Sequence, residues 1–285
     1  MELGALAIHF FSSDRLDNVV RSIWGIEADG TEETLPGLIA PDGHVEFVFH
    51  AGAPWRMKSV LASDWELQPV AFVYAQQRGC LQFKESPRGS FVAFRVSPVV
   101  AAAIVRQPLT ELWDRVIALE DLIGAEAHRI AEQLAAASAA IRFHVLQSWI
   151  AKRLHDWDSG QHQLQSLFET MFWRCPAGTL SDLSESLGPS VRSLRRWFAA
   201  TAGVSPKDIQ IAGRLLLACS LLREHPDFDI ASIAQDTDFY DHAAFTHAFT
   251  ERIGLTPSRF RAEPSVYYER ARATEERSTA RAPRR

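Results

Sequence analysis

Three arginines, Arg192, Arg195 and Arg196, fall within a stretch from Ser190 to Thr201 that contains no acid. A guanidinium is the side chain best suited to meet guanine O6 and N7 together. A run of arginines is equally an ordinary way to solvate a helix face, so position has to decide between the two. On a helix Leu194, Trp197 and Phe198 point towards a core, and the three arginines take the opposite or flanking surface. A second set of chemically able residues lies near residue 45. His44, Glu46 and His50 share one face of an alternating stretch whose other face is Val45, Phe47 and Phe49, and His9 is a further candidate. Imidazoles and carboxylates hold divalent metals, but a cupin-type centre needs three or four such groups converging. The spacing here matches no full cupin motif, and no second motif follows. Cys80, Cys175 and Cys219 are odd in number and form no CxxC pair, which indicates neither a disulfide framework nor structural zinc. Cys219 sits on a helical apolar face and reads as core. No metal or other cofactor is expected.

The arginines belong to a repeat. From 179 to 261 the chain repeats itself at an offset of 51 residues, with Ser190, Leu194, Phe198, Gly203, Ser205 and Pro206 answered by Asp241, Phe245, Phe249, Gly254, Thr256 and Pro257. Ser190 and Asp241 are N-caps, because their oxygens accept from the first-turn N–H groups. The apolar pairs at i and i+4 face a core. Gly203 and Gly254 close helices in the left-handed conformation. Ser205-Pro206 and Thr256-Pro257 each start a new helix, cap first and proline second. A short helix precedes each copy, carrying Leu180, Leu183 and Leu187 or Ile230, Ile233 and Ala234. It joins the next helix through a tight turn at Gly188-Pro189 or Asp238-Phe239-Tyr240. Helix, tight turn and capped helix with one bare face make a helix-turn-helix, and the chain has two. Between them Pro206 to Arg223 reads as one amphipathic helix, spanning roughly 27 Å at 1.5 Å per residue. It could hold two recognition helices about one DNA turn, on the order of 34 Å, apart.

These residues, with Arg214, Phe239, Phe260 and Arg261, resemble the AraC/XylS-type DNA-binding domain along its whole length. In that family the positions matching Arg192, Arg195 and Arg196 meet bases and phosphates. The resemblance implies a transcription regulator that binds double-stranded DNA through Ser190, Arg192, Ser193, Arg195 and Arg196 of the first motif. The second motif would use Asp241, His242, Ala243, Thr246, His247 and Thr250. It departs from the family, which carries basic residues where this chain has His247, Thr250 and Glu251, and a glycine where it has Asp238. Over 179–262 nine Lys/Arg face ten Asp/Glu, and the tail 264–285 has six Arg and three Glu. The tail reads as disordered, and as a source of non-specific phosphate contacts at most. Pro41-Asp42-Gly43 with Glu46 resembles sensor domains that precede this type of module.

The whole chain has 285 residues, 47% hydrophobic and 23% charged, with a formal net charge of −5. That length and apolar content suit two cores. The net charge argues mildly against nucleic-acid binding, although what matters is where the charges sit. No basic segment followed by an apolar one begins the chain and no run of about 20 apolar residues occurs, so a cytoplasmic protein without a membrane partner is expected. The fold class expected is α+β: a small N-terminal β-sandwich or barrel, linker helices, and an all-α C-terminal domain with two helix-turn-helix motifs joined by a long helix. The expected regions are 1–105 (β-rich, sensor-like), 106–170 (helical, linking or dimerising), 171–263 (DNA-binding) and 264–285 (tail). Strands are read at 44–50, 69–75, 79–84 and 89–96. Helices are read at 111–116, 125–140, 141–154 and 164–174. The helices between 109 and 155 would separate the β part from the DNA-binding part, and their stripe of Val145, Trp149 and Ile150 needs a partner, either the β part or a second chain. Trp24, Trp55, Trp65, Phe72, Tyr74, Phe83, Phe91 and Phe94 would fill a core or line an apolar effector pocket. Beyond DNA, the partners compatible with this reading are a small-molecule effector, RNA polymerase and a second copy of the chain. No catalytic role is expected. The alternatives are a metal-dependent cupin-like enzyme fused to a DNA-binding module, or a small-molecule binder whose second motif has decayed.

Overall fold

The structure, a computed structural model, describes residues 2–3, 6–11, 19–28, 38–75, 78–84, 89–174, 180–263 and 266–267. Strands form where β-branched and aromatic residues alternate between Gly, Pro and Asp turns. The larger sheet runs β1 (Glu2–Leu3), β2 (Leu6–Phe11), β3 (Val20–Ala28), β10 (Ser90–Val96), β5 (Val45–His50), β8 (Ala71–Ala75) and β11 (Arg115–Ala118), antiparallel throughout. The smaller runs β12 (Val266–Tyr267), β4 (Leu38–Ile39), β9 (Leu81–Lys84), β6 (Arg56–Ser59) and β7 (Glu66–Leu67), and only its β12–β4 pair is parallel. Of the 264–285 tail, only Val266 and Tyr267 are described, and they pair with β4. Cys175, the side chains of His9, Leu183 and Leu187, and the rest of the tail lie outside the described residues.

The two faces of the larger sheet have different partners. Ile26, Val48, Trp55, Phe72 and Phe91 pack towards the smaller sheet. Val45, Phe47, Phe49, Val73 and Phe94 pack against helices. The alternation of β5 is therefore buried on both sides. Helix α1 (Pro98–Val105) starts at the Ser97 cap with Pro98 in its first turn, and nearly all of it is buried. Next come α2 (Leu119–Ile123), α3 (Ala125–Ala136) and α4 (Ala139–Arg153). The Trp149 ring meets Phe49 and Phe94 edge-on, at 5.9 and 6.2 Å between centroids. The partner of the Trp149 and Ile150 stripe is thus the β part of the same chain. Helix α5 (Ser159–Glu169), closed by an Asp158–Gln161 capping box, runs into a π-helical turn at Thr170–Arg174.

The helix expected at 111–116 does not form: 111–114 is a turn and a strand starts at Arg115. Asp114 takes a left-handed conformation (φ 55°), which ends any helix begun at Glu111, and its N–H donates to Ala75. The chain then continues as β11, where β-branched Val116 and Ile117 pair with β8. The expected separation of the β part from the C-terminal helices also fails. Leu38, Ala40 and Cys80 share an apolar cluster with Leu215, Phe245 and Phe249, and Val99 shares another with Leu194 and Phe198.

Candidate nucleic-acid interface

Among the described residues six helices follow the π-helical turn: α6 (Leu180–Leu187), α7 (Val191–Ala202), α8 (Pro206–Glu224), α9 (Ile230–Asp236), α10 (His242–Ile253) and α11 (Pro257–Ala262). Ser190 caps α7 by accepting from the Ser193 N–H at 3.2 Å, and Asp241 caps α10 by accepting from the Ala244 N–H at 2.7 Å. Ser205 caps α8 in a box with Asp208, and Thr256 caps α11. Gly203 and Gly254 close the two recognition helices at φ 66° and 78°. Leu194, Phe198, Phe245 and Phe249 are fully buried. Asp238, standing where a glycine was expected, adopts the glycine-like conformation itself, at φ 58°. Aspartate tolerates that region better than most residues, and Arg214 fixes the turn by donating to the Asp238 carbonyl at 3.2 Å.

On α7 the outward face is cationic. Arg192 and Arg196, one turn apart, point away from Leu194 and Phe198, and Arg195 flanks them. All three are exposed, and none pairs with an acid among the described residues. Two other cations of the region are held internally. Arg252 binds Asp208 at 2.5 Å, and Arg261 donates to the carbonyls of Pro226 and Phe228. A region with no net positive charge therefore still presents a concentrated positive face.

On α10 the equivalents of Arg192 and Arg196 are Ala243 and His247, both exposed, as are Asp241 and His242. The hydroxyls of Thr246 and Thr250 are buried, with no hydrogen-bond partner among the described residues. These two candidates flank Phe245 and Phe249 and turn their polar atoms inward, so the face is narrower than expected. Glu251 lies on it too, 3.6 Å from Arg78 of the N-terminal part.

The C-terminal ends of both recognition helices are bound by the N-terminal part. A helix end leaves carbonyls without intrahelical donors. Here Leu109 N–H donates to Thr201 O at 3.4 Å, and the Gly79 and Cys80 N–H groups donate to Arg252 O and Ile253 O, each at 2.8 Å. The approach is close enough to need the glycines. A Cβ on Gly203 would lie 2.7 Å from Thr110 Cα, and one on Gly254 would lie 2.5 Å from Val60 Cγ2.

Residues 183–263 match the family described as a helix-turn-helix domain. The C-terminal part of the chain is an AraC-type helix-turn-helix domain. It is 35% identical over 82 residues to the HTH-type transcriptional regulator ExsA of Pseudomonas aeruginosa, a match covering 29% of each protein. An uncharacterised HTH-type transcriptional regulator of Escherichia coli, YidL, is 25% identical over 149 residues, covering 48% of this chain and 50% of that one. The chain thus spans no more than half the length of the curated relatives it matches. ToxT of Vibrio cholerae, solved with an unsaturated fatty acid bound, superposes with a TM-score of 0.41 at 13% identity, over 80% of this chain and 89% of that one. Residues 9–118 match a domain of unknown function, DUF6597.

Ahead of the AraC-type domain, the His44, Glu46 and His50 set does not converge. His44 Nδ1 lies 3.2 Å from the Asp42 carbonyl, and its ring packs edge-on against Phe168 and Phe172. Glu46 accepts from Trp24 Nε1 at 2.6 Å and from Arg95 at 3.3 Å. Asp42 takes the other arm of Arg95 at 2.9 Å. Burial works to raise the Asp42 pKa, but Arg95 and His44 outweigh it and leave it low, whereas burial wins at Glu46 and raises it. Asp42 and Glu46 thus share one buried arginine, which the sequence reading missed. Among the described residues no three His, Cys, Asp or Glu are grouped to hold a metal. Between the sheets Trp24, Trp55, Phe72, Tyr74, Phe83 and Phe91 line a cavity of about 30 Å³, with Glu46 and Gln68 in its wall. That is room for a water or two. Trp65 lies under Lys58, and Phe94 stacks on Phe47 on the other side of the sheet.

His50 makes a pH prediction. Its Nε2 donates to Gln68 Oε1 at 2.9 Å, and its Nδ1 is buried without a partner among the described residues. Burial lowers its pKa from the ordinary 6.5 to about 4. A folded state that binds this proton less readily than the unfolded chain loses stability as pH falls below 6.5, down to about 4. The loss reaches on the order of 3 kcal/mol. Chemical denaturation of wild type and His50→Gln across that range should show wild type weakening more by about this amount; parallel profiles would contradict it.

Proposed function

We propose that this protein is a sequence-specific transcription regulator, in which the 171–263 region binds double-stranded DNA and the β-rich 1–105 region senses an effector. The observation that carries this reading is the pair of capped recognition helices with exposed outward faces, the first bearing Arg192 and Arg196 with no acid paired to them among the described residues. Ser190, Ser193 and Arg195 border that face, and Asp241, His242, Ala243 and His247 form the second. The 106–170 region carries the coupling, because its Leu109 and Thr110 touch the end of the first recognition helix. An effector would bias the arrangement of the two motifs by binding one docking state better than another. Its place is the cavity between the sheets, which must open, since pockets for such ligands run to roughly 300 Å³ or more. No catalytic step is assigned. Among the described residues no helix is long and apolar enough to cross a membrane, and work in the cytoplasm suits a protein that reads DNA.

Selection of duplexes from a random library by the full chain tests this reading. The expected result is two half-sites about one helical turn, roughly 10 base pairs, apart; recovery of no preferred sequence would overturn it. The half-sites should also weigh unequally. Scrambling the one read by α7 should reduce affinity more than scrambling the one read by α10, because the second face holds Ala243 and His247 where the first holds arginines. Equal sensitivity would contradict that assignment.

A further inference from the structure

Phe239 and Tyr240 are adjacent aromatics with opposite fates. Phe239 packs into the apolar cluster beneath α10, 5.3 Å from the Phe245 ring, and Arg214 lies over its other side. Tyr240 is 97% exposed, while the next most exposed large apolar side chain described, Leu61, is 61% exposed. Its placement is not slack. The left-handed Asp238, the Arg214 hydrogen bond to it and the Phe239 N–H bond to Ala234 O at 3.0 Å fix the turn on one side. The Asp241 cap fixes it on the other. A ring that would gain by burial is held in water at the edge of a recognition helix.

The two motifs differ at this position in a way that matches their difference in charge. The residue before the cap is half-buried Pro189 in the first motif, which has neither donor nor acceptor on its side chain. In the second it is a phenol. The second motif, whose outward face lacks the arginines, is the one that carries a hydrogen-bond donor just outside that face. Phosphates flank the groove that the start of a recognition helix enters, and tyrosine hydroxyls are among the groups that meet them.

We propose that Tyr240 donates its phenolic hydrogen to a DNA phosphate oxygen and anchors the second recognition helix, in place of the arginines that the outward face of α10 lacks. This rests on the DNA-binding reading above. A neutral donor to phosphate helps every sequence alike and releases no counterion. Three signatures follow for the full-length protein on its selected duplex. Tyr240→Phe lowers affinity about two- to tenfold, Tyr240→Ala lowers it at least as much, and neither changes base preferences or the slope of log affinity against log salt. Because the side chain is exposed, both variants should melt with wild type.

The experiment compares wild type, Tyr240→Phe and Tyr240→Ala by library selection and by titration at several salt concentrations. Uniform loss in both variants with an unchanged salt slope supports the contact. Unchanged binding overturns it, even if transcription falls, which would direct the ring to a protein partner. Loss confined to Tyr240→Ala overturns the phenol-to-phosphate bond, and loss at one base position assigns base reading instead. Wild type that binds no DNA overturns the regulator reading, and this contact with it.

Discussion

Arg196→Ala is expected to weaken binding of the full-length protein to its selected site by about 1–3 kcal/mol, and to relax preference at one base position. Arg196 lies on the side of α7 opposite Leu194 and Phe198, exposed and with no acidic partner among the described residues, so its whole donor fork is available to a guanine edge. Arg192, one turn earlier on the same face, should behave alike. Arg195 flanks the face and is expected to hold phosphate, so Arg195→Ala should weaken all sequences evenly and reduce the salt slope by about one. Replacing all three arginines together should cost about 4 kcal/mol or more, although neighbours on one helix need not add. Library selection with each variant separates the roles. Equal loss on every sequence for Arg196→Ala would refute base readout by that residue.

The repeat was legible because its signals are local. A cap, a left-handed glycine and a Ser-Pro or Thr-Pro start each act within one helix turn, so Ser190, Gly203, Ser205 and their partners at 241, 254 and 256 could be assigned from spacing alone. What lay beyond the sequence reading depends on contacts between distant segments. Arg95 shows no pattern until the Asp42 turn and Glu46 close on it. The strand at Arg115–Ala118 exists because β8 offers it an edge. Thr246 and Thr250 looked available by type, but their hydroxyls turn inward. Tyr240 was visible only as part of a turn, and its exposure is a consequence of how Phe239 and Asp238 are held. The paired arginines of α7 and the bare face of α10 could be read directly, since helix rotation alone separates them from the core.

The largest loss of stability is expected where the N-terminal part docks on the two helix ends. Gly188, Gly203 and Gly254 all have positive φ, so alanine at any of them carries the left-handed strain of about 1–2 kcal/mol. They differ in surroundings. Among the described residues nothing lies within 4 Å of a Cβ built on Gly188, whereas one on Gly254 meets chiefly a valine methyl, at 2.5 Å, with the Gly79 backbone at 3.2 Å, and one on Gly203 meets only backbone, that of Leu109 and Thr110, at 2.7–2.9 Å. A methyl can shift more easily than a backbone. Gly188→Ala should therefore show the strain alone, Gly254→Ala more, and Gly203→Ala the most, about 2–5 kcal/mol once overpacking is added. Relief of the overlap is available by parting the N-terminal part from the two helix ends, and Cys80 and Cys219 can report it. Both are buried in the cluster that residues 38–80 share with the C-terminal helices, and burial pushes their pKa up, Cys80 to about 12, so neither is reactive while docked. Thermal melting gives the order of the three variants, and alkylation followed peptide by peptide gives the opening. Faster modification of Cys80 and Cys219 is expected in Gly203→Ala and Gly254→Ala than in Gly188→Ala. If all three variants melt together with both thiols protected, the helix ends are not held by the N-terminal part.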